Sequence, residues 1–308
     1  MKILILCGGT SSEREVSIWS AENVYKTLIN TDYIVEMVDI AKLSPYELCK
    51  KILCENFDLV FPVLHGKPGE DGSIQGFLDT LGIKYIGSGV FSCAVTMDKY
   101  RCKLICKSLG LPQPDFIAIR TRDSKEIYEF SRSKGFPLVV KPNSQGSSVG
   151  VSIVNNDSEL KSALELGFKY DPIVLVEEFI RGKEITCGVI GNNNIIVLPL
   201  VEILPKTKFF DYESKYNPEL CDEIVPARLN DNLKNRLQEL AIKAYKVFDC
   251  KGFGRIDMFV DEDENIYLSE INTIPGLTAN SLFTKEVKAA GYTFQEIVKL
   301  LIKLALED

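Results

Sequence analysis

Histidine is almost absent from this chain: His65 is the only one in 308 residues. Nine cysteines are scattered along it, and no two are spaced C-x-x-C. A zinc site needs about four clustered sulfur or nitrogen ligands, so this pattern argues against one. The odd cysteine count, without paired spacing, reads as buried reduced thiols in a cytoplasmic protein. No apolar run approaches the ~20 residues that span a bilayer. The segment Lys2–Cys7 is short, apolar and followed by glycines, so it reads as a first strand rather than a signal peptide. Positive charge is also in deficit, with 36 Lys and Arg against 43 Asp and Glu, a net charge of −7. That balance argues against a nucleic-acid or membrane-surface role, and an anionic ligand would need local cations.

Two phosphate-binding signatures are missing as well. The turn after the first strand reads Gly8-Gly9-Thr10-Ser11-Ser12-Glu13, not G-x-G-x-x-G, and Gly87-Ser88-Gly89 lacks the third glycine. Asp39 ends the second strand where a ribose-binding acid would sit, but alone it means little. A Walker A loop fails too: Gly66-Lys67 is followed by Pro68, and Gly182-Lys183 by Glu184. A nucleotide, if used, is held another way. Internal repeats and low-complexity segments are absent.

What is present fits two or three domains of ordinary globular composition. Strand signals at Lys2–Cys7, Ile34–Ile40 and Asp58–His65 alternate with helical spacing at Ile18–Ile29 and Pro45–Asn56. This alternation predicts an open parallel sheet covered by helices. A boundary is expected near Gly87–Thr96. Beyond it come a helix at Asp98–Leu109, a strand at Phe116–Ile119, a helix at Lys125–Lys134 and a strand at Pro137–Lys141. Asn192-Asn193-Asn194 reads as a turn between strands. Lys206–Pro226 has no clear period, and a loop that long is usually functional or disordered. Helices are expected at Asn232–Phe248 and Thr293–Leu306.

Four segments could carry chemistry. The stretches Gly254–Val260 and Ile266–Asn272 form a hairpin by pattern, with Asp261–Asn265 as its turn. Period-2 alternation puts Arg255 and Asp257 on one face of the first strand and Glu270 and Asn272 on one face of the second. Oxygen ligands beside a guanidinium suit Mg²⁺ on a polyphosphate, although a solvated salt-bridged face has the same pattern. Lys141 ends a strand and opens Pro142–Gly150, a small-residue loop whose backbone N–H groups could approach phosphate. The strand Ile173–Ile180 ends in acids beside an aromatic and could cradle a purine, with Glu184 on the ribose; an edge strand running into a turn reads the same way. Glu13–Ser17 follows the first strand and opens a helix, and His65 falls at the same sheet edge, where open α/β sheets bind ligands. Glu15 there could accept an ammonium or simply complement the helix dipole.

Taken in order, these segments resemble the D-alanine–D-alanine ligases over essentially the whole chain. The match is carried by Gly8–Ser17, His65–Gly72 with Gln75-Gly76, Met97-Asp98-Lys99, Lys141-Pro142 through Gly146–Gly150, Asp211–Tyr216, Gly254–Asp257, and Glu270–Thr273 with Pro275-Gly276. The resemblance implies an α/β, partly α+β, fold: an N-terminal open parallel-sheet domain (1–95) followed by a two-part ATP-grasp fold (96–180 and 181–308). It implies ATP and Mg²⁺ or Mn²⁺, two ions, with Asp257, Glu270 and Asn272 as ligands. Lys99, Lys141 and Lys215 would contact phosphates, and Ser148, Glu177, Glu178, Phe179, Ile180 and Glu184 would complete the ATP site. Arg255 and the Gly276 N–H would be oxyanion donors. Glu15 and His65 would serve the first D-alanine, and Ser281 and Leu282 the second. Glu15, Ser147 and Tyr216 would form a hydrogen-bonded set tying Lys206–Pro226 down as a lid. Partners would be small molecules and a second copy in a homodimer, with no nucleic acid or membrane.

The presence of Lys215 and Tyr216 points to an amine nucleophile within the resemblance. A sister ligase joining D-alanine to D-serine would keep the ATP and metal residues and change the second pocket, so that choice stays open. A sensor without catalysis would lose Arg255 or a metal ligand, and both are intact. A nicotinamide dehydrogenase is disfavoured by the broken glycine fingerprint.

Overall fold

The strand β1 (Lys2–Cys7) is buried at all but its first position. It lies between β2 (Ile34–Asp39) and β3 (Leu59–Pro62) and runs parallel to both. A central parallel strand is covered on both faces, which is why its apolar run is uninterrupted. The connections are helical, α1 (Arg14–Leu28) and α2 (Pro45–Cys54). At the start of α2, Ser44 and Glu47 form a capping box with Pro45 in the first turn. After β3 come α3 (Ser73–Thr80), α4 (Val90–Met97) and α5 (Lys99–Ser108). The segment read as a boundary is thus largely helix α4. The computed structural model describes residues 1–122, 124–206 and 221–307.

A second, antiparallel sheet follows. Its strands are β4 (Phe116–Ile119), β5 (Leu138–Pro142), β6 (Ser152–Val154) and β7 (Val174–Glu178), in the order β4-β7-β5-β6. Helices α6 (Lys125–Lys134) and α7 (Asp157–Tyr170) lie between β4 and β5 and between β6 and β7 in the chain. Strand β7 is internal, not an edge, because it pairs with β4 on one side and β5 on the other.

The third sheet contains β8 (Gly182–Ile190), β9 (Ile196–Val197), β10 (Val201–Pro205), β11 (Cys221–Ile224), β12 (Phe253–Asp261) and β13 (Ile266–Asn272). Its order is β11-β10-β8-β12-β13, with β9 beside β8. Along β12, Ile256, Met258 and Val260 are buried in the core formed with α8 (Asp231–Val247), while Arg255, Asp257 and Phe259 alternate to the other face. Burying each such apolar side chain stabilises by about 1.5–3 kcal/mol. A one-residue slip of β12 would exchange that set for Arg255 and Asp257, so the core fixes the register of the polar face. Two helices close the chain, α9 (Leu282–Ala289) and α10 (Phe294–Leu306).

One core unites the ends of the chain. Ile3, Ile5, Phe61 and Val63 pack in the same cluster as Phe253, Leu277, Phe283 and Leu301. Asn23 Nδ2 donates to the Leu277 carbonyl at 2.7 Å, and the Leu277 N–H donates to Ser20 Oγ at 3.1 Å. The segment after β13 is thereby tied to α1. No helix among the described residues is long and apolar enough to cross a membrane.

Candidate active site

The β12–β13 register pairs Asp257 with Glu270 and Arg255 with Asn272. Arg255 grips Asp257 as a fork, with Nε to Oδ1 and Nη2 to Oδ2 both at 2.8 Å. Asp257 also accepts from Thr186 Oγ1 at 2.6 Å and Asn272 Nδ2 at 2.9 Å. Burial opposes the Arg255 charge, but Asp257 outweighs it and holds the guanidinium protonated. Glu270 pairs with Lys99 Nζ at 2.7 Å. The acids are thus balanced by cations, and a divalent ion fits the donor chemistry of this face. Two carboxylates and an amide oxygen are hard donors, and a polyphosphate would supply further oxygens.

Lys99 also donates to the Gln145 carbonyl at 2.7 Å, linking β13 to the Gly/Ser loop. In that loop Ser147 and Ser148 take left-handed backbone angles, φ 46° and 59°, a strained conformation for residues with a side chain. Ser147 Oγ donates to Glu13 Oε1. A β-carbon at Gly146 would stand 2.4 Å from Glu13 Oε2, so a larger residue there would displace the Glu13 carboxylate. Gly146→Ala is expected to lower kcat/KM at least tenfold with little change in Tm, since it separates the loop from Glu13 without touching a core. Wild-type kinetics in that variant would contradict the contact.

Glu13, not Glu15, stands at this position. Glu13 is the N-cap of α1 and is buried, whereas the Glu15 side chain is 64% exposed and pairs with Arg14 at 3.6 Å. Two steps along a helix turn a side chain through about 200°, so the two acids cannot face the same cavity. The expected set therefore becomes Glu13 and Ser147. Tyr216 and Lys215 lie outside the described residues.

His65 is buried and its Nε2 has no partner among the described residues. Burial lowers its pKa, Glu13 opposes this, and Arg255 adds to it, leaving a neutral imidazole at neutral pH. Glu70 accepts the Gly66 N–H at 2.7 Å. Burial, helped by Glu13, pushes its pKa up to about 8. Glu13, His65, Glu70, Ser147, Arg255, Glu270, Asn272, Gly276, Ser281 and Leu282 all line one cavity of about 100 Å³. A larger surface cleft, about 1040 Å³, runs beside α4 and the end of α10 but contains none of these groups.

One turn along α5 from Lys99 lies a buried cation cluster. Lys141 and Lys103 both reach Glu177 Oε1, at 2.9 and 3.3 Å. Burial raises the Glu177 pKa, but Lys103 and Lys141 outweigh it and keep the carboxylate ionised. Two lysines on one acid leave a surplus positive charge, the local cation that an anionic ligand requires here. Glu178 alternates to the opposite face, taking the Asp115 N–H at 2.8 Å and Lys134 at 3.2 Å. Its side chain is occupied there, so only its backbone is left for a nucleotide. Phe179 and Ile180 are half-buried beyond the end of β7, and Glu184 pairs with Ile203 and Phe259 in the third sheet. Ser148 follows Ser147 in the loop.

At the far end of the cavity, Ser281 is the N-cap of α9, and its Oγ accepts the Thr278 N–H at 3.1 Å. A β-carbon at Gly276 would stand 2.8 Å from that oxygen. Below this end, Glu286 is fully buried; Oε1 accepts the Gly188 N–H at 3.0 Å and Oε2 has no donor among the described residues. Burial raises its pKa from 4.5 to about 8, against the pull of Arg255 and the Gly188 N–H. Between those values the native state holds a proton that the unfolded chain has lost, so stability falls as pH rises through the window. In metal-free protein, Tm is expected to fall between about pH 5 and 8 more steeply than in Glu286→Gln. Parallel curves would refute this.

Glu13, Glu70, Lys103, Glu223 and Glu286 were not singled out by sequence reasoning. Lys103 had a usable signal, since it lies four residues after Lys99 and so on the same helical face. Glu223 and Glu286 had none, because their positions follow from how β11 and α9 pack.

Family models agree with this architecture. The D-ala D-ala ligase N-terminus model matches residues 2–52 and 44–88, and the C-terminus model matches residues 105–303. A D-alanine–D-alanine ligase of Pelotomaculum thermopropionicum is 41% identical over 100% of this chain and 98% of that protein. The D-alanine–D-alanine ligase structure from Bacillus anthracis is 37% identical, with a TM-score of 0.87 over 99% of this chain and 97% of that one. A D-alanine–D-alanine ligase structure from Bacillus anthracis complexed with ATP gives 33% and 0.84, with the same coverage. The VanG D-Ala:D-Ser ligase from Enterococcus faecalis gives 32% and 0.84, covering 99% of each chain. With both family models matched along most of its length, the chain belongs to the D-alanine–D-alanine ligase family.

Proposed function

We propose that this cavity joins two D-alanine molecules into D-alanyl-D-alanine, with ATP converted to ADP and phosphate through an acyl phosphate. The observation that carries the reading is the convergence of the Arg255–Asp257 fork, the Lys99–Glu270 pair and the Glu13–Ser147 contact on one cavity. Glu13 takes the ammonium of the first D-alanine and so directs its carboxylate toward the phosphate-binding lysines. Lys99, Lys141 and the Gly/Ser loop hold the phosphates, a task of positioning and charge stabilisation. Glu177 and Glu184 serve the adenosine. When bound at Asp257, Glu270 and Asn272, Mg²⁺ or Mn²⁺ neutralises phosphate charge. The amine of the second D-alanine then attacks the acyl carbon, and Arg255 with the Gly276 N–H donates to the oxyanion. Phosphate leaves as the tetrahedral centre collapses. In this reading the dipeptide is a precursor for peptidoglycan, made by a cytoplasmic homodimer.

The test is product analysis with Mg-ATP and D-alanine, with L-alanine, D-lactate and D-serine as competing acceptors. One D-alanyl-D-alanine per ADP and phosphate supports the proposal. Phosphate release that requires D-serine would move the chain to the sister ligases. Leu282 gives a methyl group an apolar neighbour at the acceptor end.

A further inference from the structure

The acceptor end of the cavity contains a carboxylate with no role in the account above. Glu223 lies on β11, in register with Ile203 of β10, and lines the cavity beside Asn280, Ser281 and Leu282. Its side chain is 13% exposed. Lys285, one turn into α9, donates to Oε2. Oε1 has no hydrogen-bond donor among the described residues. The acid is thus anchored to the helix whose N-terminus bounds the acceptor end, and one oxygen is left over.

The reaction proposed above needs two ammonium sites, because two zwitterions enter one cavity. Glu13 serves the first, at the Ser147 end. Asp257 is taken by the Arg255 fork, and Glu270 by Lys99. Glu70 already accepts the Gly66 N–H and is largely protonated at neutral pH, so it makes a poor anion. Among the described residues that line the cavity, Glu223 is the carboxylate that remains, and it is the one at the acceptor end.

We propose that Glu223, held in place by Lys285, is a specificity-determining residue that receives the ammonium of the second amino acid. This rests on the ligase reading and deepens it. Lys285 offsets part of the Glu223 charge, so the ammonium is steered without being locked in its unreactive form. A 2-hydroxy acid such as D-lactate has a net charge of −1 and no cation to offer, and Glu223 repels it. Charge near the acceptor thereby selects an amine over a hydroxyl.

The test measures separate KM values for ATP, donor and acceptor D-alanine, and the D-lactate to D-alanine acceptor ratio. In Glu223→Gln the acceptor KM is expected to rise about tenfold, the loss of about 1.4 kcal/mol. KM for ATP and for the donor should stay within twofold, and the acceptor ratio should shift at least fivefold toward D-lactate. Glu223→Asp should restore much of the discrimination. Lys285→Met keeps the carboxylate charge but loosens its anchor, so it should shift the ratio clearly less than Glu223→Gln does. An unchanged acceptor KM in Glu223→Gln, or all three KM values rising together, would overturn the assignment. So would an equal ratio shift in Lys285→Met, which would make the pair a structural tie only. Absence of any dipeptide in the unmutated protein would instead sink the ligase reading itself.

Discussion

Replacing Arg255 with alanine is expected to lower kcat by about 10²–10³, with a smaller change in KM for ATP. An oxyanion donor acts mainly in the transition state, and removing one costs about 2.7–4 kcal/mol of barrier. The variant also deprives Asp257 of two of its four hydrogen-bond donors. A half-satisfied carboxylate in that position is mobile, so Mg²⁺ affinity should change as well. Arg255→Lys separates the two effects. It keeps a charge but loses the planar fork, so it should recover little of kcat. Steady-state kinetics at saturating D-alanine, with Mg²⁺ titrated, provide both readouts. A kcat within threefold of the wild-type value in Arg255→Ala would remove the oxyanion role.

The second large effect concerns the two acids at the start of α1. Glu13→Gln should raise KM for the donor D-alanine about 30- to 100-fold, since a charge-assisted contact is worth roughly 1.5–3 kcal/mol. Glu15→Gln should leave every kinetic constant within twofold. The contrast follows from burial and direction: Glu13 meets Ser147 across the cavity, while Glu15 faces water beside Arg14. If Glu15→Gln were the damaging change, the donor site would have to be rebuilt around an exposed side chain.

Much of the architecture is legible in the residues. The uninterrupted apolar β1, the alternation along β12, and the polar turn between β12 and β13 each force their element. Period 2 puts Asp257 on one face of β12 and Glu270 and Asn272 on one face of β13, and the observed register then brings the three together. Glu15 shows where such reasoning stops. Glu13 and Glu15 are the same residue type in one short motif, and which of them enters the site depends on where α1 begins. The apolar period marks Ile18, while the helix starts at Arg14. Glu178 is a related case, since strand alternation gives the cavity to the Glu177 side chain and sends that of its neighbour outside, leaving the Glu178 backbone as the part that could meet a nucleotide. The acceptor end was least legible, because Glu223 and Lys285 meet only through the packing of β11 against α9. We retain 1–95, 96–180 and 181–308 as proposed working units, each containing one of the three sheets.

The central claim is that a D-alanine carboxylate becomes an acyl phosphate before the peptide bond forms. The most direct measurement uses D-alanine labelled with ¹⁸O in its carboxylate, with Mg-ATP, and mass analysis of the phosphate released. The account predicts one ¹⁸O transferred to phosphate for each dipeptide formed, with ADP as the other product. Unlabelled phosphate alongside dipeptide, or label appearing in AMP, would contradict it.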